Sequence, residues 1–427
     1  IYASSSYTTY FNAGTDMYAD GRNYINDELH EYETLNPENS VMKELYTACY
    51  KGIRAAYAVK HYAQDAEIDE ILRNKRVDEA RVLAANYYYI LVNTFGGVPL
   101  MKEYVANAQT GYPKSAIGDV YAYIIEELEN VVANGVLEKS TAQNGGGRAS
   151  LESARALLAK TYLAAAWDLD KKEYFSKAAQ TADDVIAKRS LVTPFANLWR
   201  ADYSGDDNEE FIWDVEYDYA TATNTVSGGH PWSSFYCNHI GGQEDHGKGS
   251  TSAFIATLHA LQYFEKGDVR YEVTFMKELP DIVTASNYWY WDWYKNGETF
   301  IGIPLKRYYP AWYETEEDIE AWKALDPENR KSTWILPMSD HTAQLNAVTS
   351  IDVDAILKER ACELFGQGSR WIDLRRTRKL VEYNNLYNPQ IKGRAQQAIG
   401  NKLLRPIPQA AIDANELMST EDQNPGY

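Results

Sequence analysis

Cysteine is scarce. The 427 residues hold three, Cys49, Cys237 and Cys362, with no Cys-x-x-Cys spacing, so neither a disulfide framework nor a zinc ribbon is expected. No stretch approaches the roughly 18 consecutive apolar residues that a membrane-crossing helix needs. The opening IYASSSYTTY has no Met, no basic region and no apolar region, which reads as a mature or trimmed chain. Positive charge is also in short supply. Lys and Arg number 42 against 61 Asp and Glu, a net charge of −19, and a field of that sign repels phosphate backbones. Nucleic acid is therefore not expected as a partner. None of GxSxG, HExxH, GxxxxGK[ST] or GxGxxG occurs, and among so many carboxylates a pair at plausible acid–base spacing carries no information.

What is abundant is tyrosine. There are 34 Tyr and 11 Trp but only 11 Phe, so the aromatic excess lies in rings that carry a polar atom. Such rings suit half-wet surfaces, where a face packs and an edge hydrogen-bonds, as a polar ligand with apolar faces would require; they also fill helix interfaces. Hydrophobic residues at 45% and charged residues at 24% are ordinary for a globular chain that buries a sizeable core.

The first half reads as helices. In RVDEARVLAANYYYILVNTF, Val77, Ala80, Ala84, Tyr87, Leu91 and Phe95 recur at steps of three and four, with Asp78, Glu79 and Arg81 off the stripe. Gly96-Gly97 then ends the helix, and Pro99 prevents its resumption. A second stripe runs through Ile117, Val120, Ile124, Leu128 and Val131, and a third through Leu151, Ala154, Leu158, Tyr162 and Ala165. EYFSKAAQTADDVIAKR makes a fourth helix. Alanine-rich pairs of this kind, with Leu158, Ala159 and Tyr162 followed by Ala178 and Ala182, look like degenerate tetratricopeptide units.

From about Leu191 the pattern changes to short strand-like pieces between Gly, Asn and Asp clusters, and helical patterning returns near Ile351. The C-terminal LLRPIPQAAIDANELMSTEDQNPGY is broken by prolines and cannot be one long helix. No low-complexity linker intervenes. One domain is expected over 1–427, with a helical scaffold at 41–190 and 351–400, a loop-rich lobe at 191–340 and an extended C-terminal segment at 401–427. Against the acidic background, GQGSRWIDLRRTRKL concentrates four arginines and a lysine. Locally it is open to three readings: a nucleic-acid patch, an anion site, or scaffold.

Four segments, in order, resemble the SusD-like (RagB/SusD) family of glycan-binding outer-membrane lipoproteins of Bacteroidetes. ARVLAANYYYILVNTFGGVPL is similar to its early helix and Gly-x-Val-Pro exit, and GRASLESARALLAKTYLAAA to its central tetratricopeptide-like helix. ERACELFGQGSRWIDLRRT matches its late signature, and the C-terminal PIP…QNPGY its ending; FEKGDVR adds a minor match. The resemblance implies a mainly α fold, a tetratricopeptide-like scaffold of helical pairs with a loop- and short-strand-rich ligand-binding face. It further implies non-catalytic capture of an oligosaccharide or polysaccharide and its delivery to a SusC-like TonB-dependent transporter. The protein would sit at the cell surface, held to the outer membrane by an N-terminal lipid anchor whose cysteine this sequence does not include. A carbohydrate-active hydrolase and a peptide-binding tetratricopeptide scaffold are the alternatives.

The same resemblance settles the basic stretch as scaffold. On a helix Asp373 lies three residues from both Arg370 and Arg376 and can pair with either, while Trp371 and Leu374 share a face that docks inward. The family also carries a helix rich in Ala and Glu shortly before this signature. Here ILPMSDHTAQLNAVTSIDVDAIL runs almost straight into it, so residues are expected to be missing between Asp340 and Ile351.

Three groups are candidates for sugar contact. In NYWYWDWY, strand alternation puts Trp289, Trp291 and Trp293 on one face and Tyr288, Tyr290 and Tyr294 on the other. Trp232 and Tyr236 lie in the Gly-rich GGHPWSSFYCNH. In GTDMYADGRNY the candidates are Asp16, Tyr18, Arg22 and Tyr24, from a region that supplies ligand contacts in some family members. No cofactor is expected. His239, Glu244, Asp245 and His246 have no diagnostic metal-ligand spacing and read as a solvated loop, and a calcium site assembled from distant loops stays open.

Overall fold

The computed structural model describes residues 7–20, 27–107, 109–140, 147–199, 209–215, 254–265, 267–274, 295–296, 299–300 and 350–427. Trp289, Trp291, Tyr288, Tyr290, Trp232, Tyr236, Arg22 and Tyr24 lie outside them, as does the stretch between Asp340 and Ser350 where missing residues are expected. By its contacts the chain divides into two compact units, Leu35–Gly229 with Asn401–Tyr427 and Ile1–Tyr2, and Ala3–Thr34 with His230–Gly400.

Among the described residues, the first unit has a run of five consecutive long helices: α1 (Ser40–Tyr62), α2 (Glu70–Phe95), α3 (Ile117–Asn134), α4 (Leu151–Asp168) and α5 (Glu173–Ile186). Each packs on the next in sequence, which is the layout of stacked tetratricopeptide-like pairs. The starts are capped. Asn39 accepts the Met42 N–H at 3.0 Å, Asp69 accepts from Ile71 and Leu72, and Ser150 and Ser153 cap each other reciprocally. Gly96, at φ 72°, stops α2 where an L side chain would be strained. Among the described residues no helix is long and apolar enough to cross a membrane.

The expected stripes of α3 and α4 are buried at Val120, Ile124, Leu128 and Val131 and at Ala154, Leu158, Tyr162 and Ala165. In α2 the pattern departs from expectation. Asp78 and Glu79, placed off the apolar stripe by sequence, are buried. Neighbouring helices cover α2 on more than one side, and both carboxylates acquire partners there. Asp78 accepts the Val136 N–H at 2.9 Å, and Glu79 is gripped by Arg76 and by Arg148, whose Nε lies at 3.0 Å.

Tyrosine hydroxyls tie the layers together. Tyr57 bonds Tyr123 between α1 and α3, Tyr121 donates to Asp168 of α4 at 2.6 Å, and Tyr162 donates to Glu129. Tyr88 both donates to the Met101 carbonyl at 2.9 Å and accepts its N–H at 2.8 Å. The 401–427 segment wraps the end of α2. The Asn424 amide donates to the carbonyls of Phe95 at 2.9 Å and Arg405 at 2.8 Å, and Gln423 bonds both backbone groups of Ile407. That accounts for polar residues in the Gln-Asn-Pro-Gly-Tyr ending.

Helices α1 and α2 cross closely at Gly52, where an added Cβ would come within 2.3 Å of the Tyr87 ring. Ala at an ordinary helix position gains about 1 kcal/mol over Gly. Here Gly52→Ala is expected to lower the unfolding free energy by about 1–3 kcal/mol through overpacking, read by urea denaturation.

Candidate functional site

The second unit is organised by a two-stranded antiparallel ladder. β1 (Tyr18–Asp20) pairs with β2 (Phe254–Ala256) in the register Tyr18↔Ala256, Ala19↔Ile255, Asp20↔Phe254. Arg22 follows the end of β1 by two residues, and the segment that contains Trp232 and Tyr236 leads into the start of β2. A shorter antiparallel pair, Lys295–Asn296 with Thr299–Phe300, directly follows the NYWYWDWY stretch.

The ladder is anchored to the late signature, which folds as α6 (Val353–Glu363), α7 (Arg370–Arg376) and α8 (Leu380–Tyr387). Asp352 caps α6 by accepting the Ala355 N–H at 2.8 Å. Arg370 reaches Asp16, four residues before the end of β1, in a two-pronged bond of 2.8 and 2.6 Å. Its remaining donors meet the Leu357 carbonyl at 2.7 Å and the Tyr263 hydroxyl at 2.9 Å, while Tyr263 donates to Asp16 at 3.0 Å. The Thr257 hydroxyl bonds the Asp16 carbonyl at 2.5 Å, joining β2 to the same point. Each charge is satisfied by its partner, so burial is tolerated.

Asp16 and Tyr18, candidates for sugar contact, are 0% and 1% exposed. Asp16 spends its carboxylate on Arg370, and the Tyr18 hydroxyl accepts the Gly366 N–H at 2.6 Å. Both therefore hold the ladder in place and have no surface to offer a ligand. Of the two neighbours open to Asp373, Arg376 takes it at 2.8 Å, with Arg360 also at 2.8 Å, and Arg370 turns to Asp16. Trp371 is fully buried, and its indole N–H donates to Tyr32 at 3.1 Å, whose own hydroxyl reaches the Gly14 carbonyl at 2.7 Å.

His259 closes the cluster. Its ring stacks on Tyr387 with centroids 3.4 Å apart and planes 2° from parallel, and Nε2 lies 3.6 Å from the Asp16 carboxylate. Burial pushes its pKa down to about 4, outweighing the attraction of Asp16 and reinforced by Arg370 and Lys392. Burial opposes the Arg370 charge, but Asp16 more than compensates and holds the proton firmly. Tyr263 is raised by burial and then by Asp16, so it stays a hydrogen-bond donor. His259 and Tyr263 were not singled out from sequence. Their only local signal is a spacing of four on the short helix Leu258–Gln262 and its exit. Among the described residues no three His, Cys, Asp or Glu side chains gather as metal ligands.

Comparison with known proteins resolves the identity of this architecture. The family model described as the SusD family matches residues 335–427, and the one described as starch-binding associating with outer membrane matches residues 3–163. The chain belongs to the SusD-like family. A SusD-like protein from Bacteroides ovatus is 24% identical over 360 residues, taking in 72% of this chain and 60% of that protein. The chain thus spans about 60% of the length of that curated relative. Among solved structures, a laminarin binding SusD-like protein has a TM-score of 0.65 at 20% identity, covering 98% of this chain and 94% of its own. A SusD homolog from Bacteroides thetaiotaomicron gives 0.66 at 18%, covering 98% and 92%. Surface glycan-binding protein A from Bacteroides uniformis gives 0.64 at 21%, covering 96% and 92%. At these identities the likeness is one of fold. Mainly α, with tetratricopeptide-like helical pairs, is the SusD-like architecture seen here.

Two measurements check the cluster. Arg370→Met and Asp16→Asn should each cost about 3–5 kcal/mol, and the double variant clearly less than their sum, since one change removes the reason for the other's cost. For His259, the unfolded chain takes up a proton as pH falls through 6.5, whereas the folded chain resists until about 4. This contribution is therefore complete above pH 6.5 and is lost on acidification through that window, by up to about 3 kcal/mol. Unfolding curves of His259→Gln should be correspondingly flatter than those of the native protein between pH 7 and 4.

Proposed function

We propose that this protein captures an oligosaccharide or polysaccharide at the cell surface without cleaving it, and hands it to a SusC-like TonB-dependent transporter of the outer membrane. What carries the reading is that SusD-like family models match both ends of the chain, one of them described as starch-binding associating with outer membrane. Structural neighbours described as laminarin binding and surface glycan-binding support the same ligand class. Attachment through a lipid on an N-terminal cysteine is part of the proposal, as is capture without a cofactor.

The physics of such capture is stacking plus directed hydrogen bonds. A sugar offers few charged handles, so aromatic rings supply contact with its C–H faces and polar side chains fix its hydroxyls. Trp289 and Trp291, with Tyr288 and Tyr290 beside them in sequence, are the first choice of platform, and Trp232 with Tyr236 the second. Arg22 remains a candidate for a hydroxyl contact. An exposed platform buries little of the ligand, which gives modest affinity, in the range of about micromolar to millimolar Kd. Weak capture is sufficient if the transporter holds the captured chain nearby.

Affinity electrophoresis and calorimetry against laminarin, amylopectin and xylan test the reading. Retention by at least one glycan, with no new reducing ends after incubation, is expected. Released ends would favour a hydrolase, and binding of peptides but of no glycan would favour a peptide scaffold. Trp289→Ala or Trp291→Ala should weaken binding by about five- to thirtyfold with a nearly unchanged melting temperature.

A further inference from the structure

The first unit exposes a group of rings that its own packing does not use. His61 and Tyr62 close α1, beyond Tyr57, the last buried residue of that helix, and Tyr104 lies in the connection from α2 to α3. The Tyr62 ring is 56% exposed, His61 is exposed and Tyr104 is half-buried. The three nevertheless form one ordered group. His61 stacks on Tyr104 with centroids 5.0 Å apart and planes at 26°. Tyr62 meets Tyr104 at 5.2 Å and 62°, and His61 at 4.9 Å and 80°. The Tyr62 hydroxyl donates to that of Tyr104 at 3.3 Å, which joins the two polar tips and leaves the Tyr104 proton to donate elsewhere. That bond also raises the Tyr62 pKa above its ordinary value, so the hydroxyl stays protonated.

The chemistry of this group narrows its ligand. An anion would have to approach a chain of net charge −19, against the overall field. A wholly apolar partner would cover the hydroxyls and the imidazole without bonding them, at the cost of desolvating each. A neutral pyranose meets both demands: its C–H face lies on a ring while its equatorial hydroxyls reach the polar edges. Ring orientations already fixed by stacking and by the hydroxyl bond reduce the ordering cost of binding.

We propose that His61, Tyr62 and Tyr104 form an additional stacking site for a neutral saccharide, carried by the helical unit and distinct from the candidate tryptophans at 232, 289 and 291. The site rests on the glycan-capture reading above and extends it. A polysaccharide repeats the same ring along its length, so a second weak platform raises the overall hold on a long chain by avidity.

The test separates this site from the general reading. The protein is prepared with 3-fluorotyrosine, and the Tyr62 and Tyr104 fluorine signals are assigned by their loss in Tyr62→Phe and Tyr104→Phe. Whichever of laminarin, amylopectin or xylan the protein retains is then supplied as its hexasaccharide. Both signals are expected to shift saturably. Tyr62→Ala should lower affinity for the polymer about fivefold while its melting temperature holds, and Tyr62→Phe, which keeps the ring, should retain most of the binding. If calorimetry shows the hexasaccharide bound while neither signal moves, this site is overturned and glycan capture stands. Retention of none of the three glycans, with no shift from any of their hexasaccharides, overturns both. A large fall in melting temperature for Tyr62→Ala with polymer affinity unchanged would make the group a structural brace and also overturn the site.

Discussion

A charge taken out of water has to meet its opposite, and this chain, with 61 carboxylates, meets that demand by placing arginines beside its buried acids. Both units follow the rule. In the helical unit Glu79 lies between Arg76 and Arg148, and Glu152 is gripped by Arg189, its Nε at 2.8 Å. In the other unit Asp16 takes Arg370, while Asp373 takes Arg360 and Arg376. The pairs of Glu79 with Arg148, Glu152 with Arg189 and Asp16 with Arg370 join segments that the chain alone would leave apart. Removing one member leaves a buried ion uncompensated, which is why these contacts dictate where neighbouring backbone can go.

The consequence for the second unit is a ladder fixed at one point of the fold. The β1–β2 ladder is short, three residues on each strand, and a ribbon of that length has little stability of its own. Asp16 and Thr257 fasten it to α7 and to the start of the short helix at Leu258, so what extends from its ends leaves from a determined position. Of the arginines in the late signature, Arg370 serves this fastening. The charges of Arg370 and Arg376 are buried and paired with Asp16 and Asp373, which removes the anion-site reading for these two.

The tyrosine excess divides in a similar way. Tyr57, Tyr88, Tyr121, Tyr123 and Tyr162 place their rings in helix interfaces and their hydroxyls on a defined partner, using both halves of the side chain to brace the helical layers. Tyr62 and Tyr104 use the same chemistry at the surface, with the hydroxyls bonded to each other and ring surface left in water.

Much of the fold was legible in local pattern. The apolar steps of α3 and α4, the stop at Gly96 and the proline-broken ending all follow from backbone preferences and from one buried stripe per helix, which are properties of neighbours along the chain. Asp78 and Glu79 could not be read this way, because their burial depends on Val136 and Arg148 arriving from another part of the chain. The pairing of Asp16 with Arg370 spans 354 positions, and local spacing left open which of Arg370 and Arg376 Asp373 would take. Helix periodicity specifies which face of an element turns inward. It holds no record of which distant charge will be waiting there, and only packing of the folded chain selects that partner.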